Sequence, residues 1–105
     1  MLKYQFTVGL FDKDTEAQFI ESPEAKKIIS DILLNKFDIF AFTMFDCSGV
    51  YRMQSTGAII SEPSVRVEIA TDAALPAAEI IKELKTALNQ ETIMMEQETK
   101  DIYFL

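Results

Sequence analysis

The stretch FDCSGVYRMQSTG, residues 45–57, gathers the side chains of this sequence that could do chemistry. It holds the only cysteine, Cys47, and one of the two arginines, Arg52. A reactive thiol needs a nearby cation or a helix N-terminus, and Arg52 could supply the cation from across a hairpin. The sequence has no histidine, however, so a nucleophilic cysteine would lack the usual proton acceptor. We interpret Cys47 as a bystander thiol in a turn.

Two arginines, two glutamates and a tyrosine are the remaining candidates for a ligand site or an interface. Arg66 and Glu68 are two residues apart on a predicted strand and therefore share one face of the sheet. Charges that are partly buried there need a partner, so a mutual or cross-strand ion pair is one interpretation. An Arg66 fork for a carboxylate or phosphate is the other. Tyr51 and Arg52 have two similar interpretations, a solvated surface or anion recognition. Glu62 completes this set of candidates.

An enzyme that works with carboxylates is the alternative to a non-catalytic domain. In that enzyme Glu62 or Glu68 would be the base, tuned by burial. Arg66 or Arg52 would hold an anionic substrate. No catalytic residue is assigned by the sequence itself.

The charge balance describes an acidic globular domain. The 105 residues include 17 acidic and 10 basic side chains, for a net charge of −7, and 49% are hydrophobic. Scattered lysines offer neither the basic stripe of a nucleic-acid binder nor the cluster of a lipid-surface binder. No run approaches the ~20 apolar residues of a membrane span, and the N-terminus has a strand pattern instead of that of a signal peptide. We predict one cytoplasmic domain, residues 1–105, that binds neither nucleic acid nor membrane.

Neither a metal site nor a cofactor site is predicted. Without histidine the sequence lacks the imidazole ligands of most zinc sites. Asp12, Asp14 and Glu16 alternate as in a calcium loop, but the glycine and the terminal glutamate of such a loop are missing. The three glycines are far apart, at positions 9, 49 and 57, which does not fit a phosphate-binding loop.

Hydrophobic periodicity predicts the elements that position these residues. The N-terminal KYQFTVGLF alternates between apolar and polar residues, as a strand does, and two later segments carry apolar stripes at helical spacing. FDIFAFTMFD is apolar at nearly every position, which favours a strand covered on both faces. Asp46–Gly49 is typical of a turn. The predicted order is strand 3–11, helix 23–36, strand 37–46, an arm of residues 50–61, strand 64–70, a helix from Pro76, and strand 90–97, with DIYFL as a continuation.

The order βαββαβ predicts an α+β domain with the ferredoxin-like fold. Right-handed crossovers place both helices on one face of an antiparallel sheet, with the first and third strands central and a long hairpin arm between the second and third. The free face then carries Gln5, Thr7, Arg66 and Glu68. Aromatic residues of the second strand also point to that face, which is unusual on a monomer. We predict a homo-oligomer that covers them; the alternative is coverage by the arm and DIYFL of the same chain.

Three stretches together resemble a family of small uncharacterised bacterial ferredoxin-like domains without an assigned activity. They are FTVGLFD, FTMFDCSGVYR…GAIISEPSVRVEIA and IKELKTALNQETIMME. The family motif has a strand with a glycine, a D-x-x-G-x-aromatic-basic turn, a glutamate before the third strand and a Q-E-(S/T)-(V/I) segment at the last strand. The matching residues here are Asp46, Gly49, Tyr51, Arg52, Glu62, Gln90, Glu91, Thr92 and Ile93. The resemblance implies the fold and nominates residues.

The functional prediction from the sequence is a non-catalytic, homo-oligomeric module that binds a small ligand or a protein partner, with the carboxylate enzyme as the alternative. A small anionic ligand is one expectation, because of the two arginines. A third interpretation is a subunit of a larger complex, in which the acidic surface meets a basic partner.

Overall fold

The computed structural model describes residues 1–18 and 20–105. Its four strands form one antiparallel sheet in the order β2-β3-β1-β4, with β1 and β3 central, and both helices pack on one face. The predicted ferredoxin-like α+β fold is confirmed. The elements are β1 (Leu2–Gly9), α1 (Ser22–Phe37), β2 (Thr43–Arg52), β3 (Ile59–Thr71), α2 (Ala77–Ala87) and β4 (Met94–Thr99).

The core lies between the two central strands and the two helices. Alternate residues of each strand are buried there, as the periodicity predicts. Every second side chain from Tyr4 to Leu10 is at most 1% exposed. The main contributors are Tyr4, Phe6, Val8 and Leu10 before α1, Ile29 and Leu33 on α1, Val65, Val67 and Ile69 on β3, and Ile80, Leu84 and Leu88 on and after α2.

The helix ends carry the residues that stabilise them. Pro23 lies in the first turn of α1, where its missing N–H has no intrahelical partner to lose. Glu24 in the first turn and Lys36 in the last complement the helix dipole, and Glu79 and Lys85 do the same on α2. None of the helices in the described part of the chain is long and apolar enough to cross a membrane.

The hairpin of β2 and β3 projects beyond the rest of the sheet. β2 pairs with β3 over ten positions, up to Arg52 opposite Ile59, whereas β1 pairs with β3 only as far as Gly9 opposite Ser64. The molecule is accordingly elongated, measuring 47 × 26 × 23 Å. This confirms the extended arm between the second and third strands.

The second strand begins and ends later than the sequence suggests. Residues 38–42 are not in a strand, and Phe40 is 77% exposed. Asp46–Gly49, predicted as a turn, lies inside β2 opposite residues 62–65 of β3. Turn-forming residues are only weakly disfavoured in strands, and pairing along the whole of a long neighbouring strand overrides that preference. The C-terminal DIYFL is irregular and not a strand.

We expect Tyr4→Phe to lower the free energy of unfolding by about 1–3 kcal/mol, since it leaves a backbone donor without its acceptor. The hydroxyl oxygen of Tyr4, which is 1% exposed, accepts a hydrogen bond from the Leu75 N–H at 3.0 Å. Urea denaturation of both proteins measures the difference. Tyr103→Phe, at a position that is 76% exposed, is the matched control, and equal effects of the two changes would contradict this role of Tyr4.

Candidate functional site

The free face of the sheet has Gln5 and Thr7 on β1 beside Arg66 and Glu68 on β3, as predicted. Glu68 is occupied by its neighbours on β1. Its carboxylate accepts a hydrogen bond from Gln5 Nε2 at 2.7 Å and lies 3.5 Å from Lys3 Nζ. Glu68 therefore forms a cross-strand ion pair with Lys3, one of the two expected forms, and the mutual pair with Arg66 is not formed.

Arg66 rests on an aromatic ring on the same face. Its guanidinium carbon lies 5.9 Å from the centre of the Phe45 ring, within the range of a cation–π contact. Its Nε atom is buried and has no hydrogen-bond partner among the described residues. Arg66 thus keeps donor capacity in the middle of the free face.

A cleft of about 510 Å³ lies where β3 passes the end of β1 and continues into the arm. We call it the Glu62 cleft. It brings together parts of all three stretches that carry the family resemblance, although they are far apart in sequence. The cleft is lined by Thr7, Gly9, Phe11, Asp12, Lys13, Glu16, Gly49, Tyr51, Glu62, Ser64, Gln90, Glu91, Thr92 and Met94.

Glu62 is held over the end of β1 by the backbone. One of its carboxylate oxygens, Oε2, accepts a hydrogen bond from the Phe11 N–H at 2.9 Å. The carboxylate lies directly above Gly9, where a Cβ atom would be 2.6 Å from Glu62 Cδ. Such an approach leaves no room for a side chain, so Gly9 is required for this placement of Glu62.

Tyr51 adds a hydroxyl to the same cleft from the first strand of the arm. Partial burial, and then the negative charges of Glu62 and Glu16, raise the pKa of the Tyr51 phenol above its usual value. Tyr51 therefore stays protonated at neutral pH and can donate a hydrogen bond. The cleft thus presents a phenol donor close to a carboxylate acceptor.

An ordered acidic loop forms one rim of the cleft. Asp12 accepts hydrogen bonds from the Asn89 amide, from the Thr15 N–H at 3.0 Å and from the Thr15 hydroxyl at 3.1 Å. The Asn89 bond, together with the bonds from Thr15 and Asp14, holds the pKa of the Asp12 carboxyl below its usual value, against a smaller effect of desolvation. Asp12 is therefore charged at neutral pH and adds to the negative rim.

Gln90 ties the end of α2 to the end of β1. Its side chain is buried, and its Nε2 donates to the Phe11 carbonyl at 2.6 Å and to the Leu88 carbonyl at 3.1 Å. Phe11 is thus held on both sides, by Glu62 at its N–H and by Gln90 at its carbonyl. These hydrogen bonds hold the backbone at the floor of the Glu62 cleft in place.

The structure brings two of the five sequence-predicted candidates together and separates the other three from them. Tyr51 and Glu62 line the Glu62 cleft. Arg52 lies at the tip of the arm, where Nη1 donates to the Gly57 carbonyl at 3.2 Å. Arg66 and Glu68 lie further along the free face, in the contacts described above. The assignment of these five residues to a ligand site or interface remains a prediction.

The cleft is also shaped by three residues that were not among the five candidates with chemically active side chains: Gly9, Phe11 and Gln90. Two of them carried a signal in the sequence. A glycine inside a strand marks a close approach by another group, and Gln90 begins the Q-E-(S/T)-(V/I) segment of the family resemblance. Phe11 acts through its backbone, so its residue type carried no such signal in the sequence.

Cys47 lies in β2 opposite Ser64 and is half-buried, so the prediction that it occupies a turn is wrong. The described residues contain no group of three or more cysteine, aspartate or glutamate side chains placed to hold a metal ion. The hydrogen-bonding groups of the Glu62 cleft are therefore the best-defined chemical site in the described part of the chain.

Comparisons with solved structures show the same fold in several small proteins. A phage SAM lyase in complex with S-methyl-5'-thioadenosine is 20% identical, with a TM-score of 0.66 over 92% of this chain and 79% of that one. The periplasmic divalent cation tolerance protein CutA of Archaeoglobus fulgidus is 15% identical, with a TM-score of 0.66 over 99% and 88%. The GlnK–ATP complex of B. subtilis is 12% identical, with a TM-score of 0.57 over 92% and 80%. No family model and no curated protein matches the sequence.

We expect Gly9→Ala to displace the Glu62 carboxylate and break its hydrogen bond with the Phe11 N–H. The new methyl group would occupy the space in which the carboxylate lies. A loss of about 1 kcal/mol in unfolding free energy is expected from that one hydrogen bond. The Phe11 amide signal in NMR spectra should move, and its hydrogen exchange should become faster.

Gly49→Ala is the control for that experiment, because Gly49 lines the same cleft and has no atom within 4 Å of the position a Cβ would take. It should leave the Phe11 amide unchanged and be neutral or stabilising by about 0.5 kcal/mol, through the lower entropy of the unfolded chain. An unchanged Phe11 amide in Gly9→Ala would contradict the proposed requirement for glycine.

Proposed function

We propose that this chain is a small homo-oligomeric module that binds a nucleoside-class molecule in the Glu62 cleft. The observation that carries the proposal is the carboxylate of Glu62, held by a backbone N–H over a glycine in the cleft that the phenol of Tyr51 also lines. A fixed acceptor beside a donor suits the hydroxyl and amine groups of a nucleoside. The aromatic ring of Tyr51 supplies a surface on which a base can stack.

The charge of the cleft supports a neutral or positively charged ligand. Four carboxylates line it, those of Asp12, Glu16, Glu62 and Glu91, against the single ammonium group of Lys13. A phosphate placed among these carboxylates would be repelled. The proposed ligand therefore carries no strong negative charge on the part that enters the Glu62 cleft.

Two proteins with the same fold were solved with adenine nucleosides or nucleotides. The phage SAM lyase holds S-methyl-5'-thioadenosine, and GlnK holds ATP. Their identities with this chain, 20% and 12%, are those of a shared fold. They nominate the class of ligand to test, and the acidic Glu62 cleft makes the uncharged thioadenosine the first ligand to test for the part that enters the cleft.

S-methyl-5'-thioadenosine should raise the melting temperature of the protein and bind with a measurable heat, because a ligand that binds only the native state stabilises it. Glu62→Gln should weaken this binding by about tenfold, the usual effect of losing one charged hydrogen bond. Calorimetric titration of the wild type and the variant measures the ratio.

Glu68→Gln is the matched control, since it removes the same charge from the free face at a residue paired with Lys3 outside the cleft. Its affinity should equal that of the wild type. No binding of S-methyl-5'-thioadenosine, or equal losses in the two variants, would contradict the assignment of the ligand to the Glu62 cleft.

An enzyme with Glu62 as its base is the second candidate function. Glu62 engages only Oε2 with the backbone of the described chain, which leaves Oε1 available to a ligand. Glu68, the other candidate base, is bonded by Gln5 and Lys3. Recovery of an incubated ligand unchanged, followed by NMR, supports the binding module, whereas its conversion by wild type but not by Glu62→Gln supports the enzyme.

The arm supports the homo-oligomeric part of the proposal. Val50 and Ile59 are 69% and 59% exposed on one face of the arm, beyond the end of β1. On the free face of the sheet Met94 is 55% exposed. Apolar side chains grouped on a projecting hairpin are typical of a surface that another subunit covers.

We expect the double change Val50→Asp and Ile59→Asp to dissociate the oligomer into folded monomers, because two carboxylates would be desolvated in the interface. Light scattering after gel filtration measures the mass, and circular dichroism checks the fold. Phe104→Asp, at a C-terminal position that is 78% exposed, is the control and should leave the mass unchanged. A monomeric wild type, or dissociation by the control alone, would refute the role of the arm.

A further inference from the structure

A second concave surface, of about 420 Å³, adjoins the Glu62 cleft on the outer side of α2. We call it the lysine groove. Successive turns of α2 supply one wall, and the loop after β1 supplies the other. Its polar lining consists of Lys13, Lys82, Lys85, Thr86, Asn89 and Gln90.

Three lysines that form no salt bridge with the described residues meet in this groove. The chain has eight lysines, and four of them form ion pairs with carboxylates, at positions 3, 26, 36 and 100. Of the other four, Lys13, Lys82 and Lys85 line the groove, and Lys27 alone does not. No carboxylate residue lines it among those the structure describes.

This meeting of like charges is unexpected on a chain with a net charge of −7. Lysines at close range repel one another, and carboxylates are abundant enough to neutralise them. The dipole of α2 accounts for one basic residue in the last turn, Lys85. It does not account for Lys13, which comes from a different part of the chain and is brought alongside by the hydrogen bond from its own N–H to the Asn89 carbonyl, at 3.1 Å.

We propose that the lysine groove binds an oxyanion group, phosphate or carboxylate, carried by the molecule that occupies the Glu62 cleft. Lys13 and Gln90 line both surfaces, so the two are continuous. A ligand that spans them meets carboxylates at one end and ammonium groups at the other. The connection to a shared ligand rests on the function proposed above; the binding of an oxyanion by the lysines does not.

The groups that line the groove favour an anion over other ligands. Each lysine ammonium offers up to three donors and no acceptor. The Thr86 hydroxyl donates to the Lys82 carbonyl at 3.0 Å, and the Asn89 amide is engaged by Asp12 and Asp14. The unengaged capacity of the groove therefore belongs chiefly to the ammonium groups, and its binding should weaken as salt screens the charges.

The test uses the full chain labelled with ¹⁵N, titrated separately with inorganic pyrophosphate and with glutarate. Comparison of the two titrations shows whether phosphate or carboxylate is the preferred oxyanion. We expect saturable shifts of the amide signals of Lys13, Lys82, Lys85 and Asn89 with at least one of them. In the double variant Lys82→Ala and Lys85→Ala the affinity should fall by about tenfold, the sum of two modest charge interactions.

The double variant Lys27→Ala and Lys100→Ala is the control, because it removes the same charge from outside the groove. It should bind the oxyanion as the wild type does. Equal losses in both double variants, or shifts spread evenly over all lysines, would show a general charge effect and overturn the groove as a site. An absence of saturable shifts with both anions would overturn it as well.

A second titration tests the shared ligand. The anion preferred above is presented on a nucleoside, as adenosine 5'-monophosphate or as adenosine 5'-carboxylate, and compared with adenosine. The charged form should bind more tightly, and the Lys82→Ala and Lys85→Ala variant should abolish that gain. If the charged nucleoside binds the wild type no more tightly than adenosine does, the proposal that one ligand spans both surfaces is overturned. If adenosine itself does not bind, the function proposed for the Glu62 cleft is overturned, and the oxyanion result for the lysine groove still stands.

Discussion

The difference in length between β3 and β1 is the constraint on which the rest of this structure depends. β3 spans Ile59–Thr71, and its pairing with β1 stops at Gly9 opposite Ser64. Beyond that point β3 keeps only β2 as a partner, so the two strands leave the body as an arm. Glu62 is in the part of β3 that passes the end of β1, which is why its carboxylate reaches the Phe11 N–H. The arm and the cleft thus have one cause.

Acidic and basic side chains are separated into two regions in the folded structure, although they are mixed along the sequence. Carboxylates of the loop after β1, of β3 and of the segment after α2 meet at the Glu62 cleft. Three lysines, two of them on α2, meet in the adjoining lysine groove. Lys13 and Gln90 stand at the boundary between the two regions. Because opposite fields lie side by side, a ligand with a charge at one end would be oriented as well as held.

Periodicity in the sequence was sufficient for the fold, because burial of one face of each central strand is a local pattern. The alternation from Tyr4 to Leu10 and from Val65 to Ile69 predicted the core correctly. The predicted start of β2 was wrong, because Phe40 has the residue type of a core position but is exposed. The contents of the cleft could be nominated only as short motifs, because Gly9, Glu62 and Gln90 meet through tertiary pairing that no local pattern encodes.

The Glu62 cleft lies at the margin of the core and not within it, and this separates binding from stability. The buried side chains of β1 and β3 point toward the helices, whereas Glu62 and Gly9 face the opposite side of the sheet. The backbone of Phe11 connects the two sides, because its N–H donates to the Glu62 carboxylate and its carbonyl accepts from the Gln90 side chain. These two hydrogen bonds can therefore fix the position of the Glu62 carboxylate while the side chains of Tyr51 and Glu91 vary, so ligand preference can change without repacking the core.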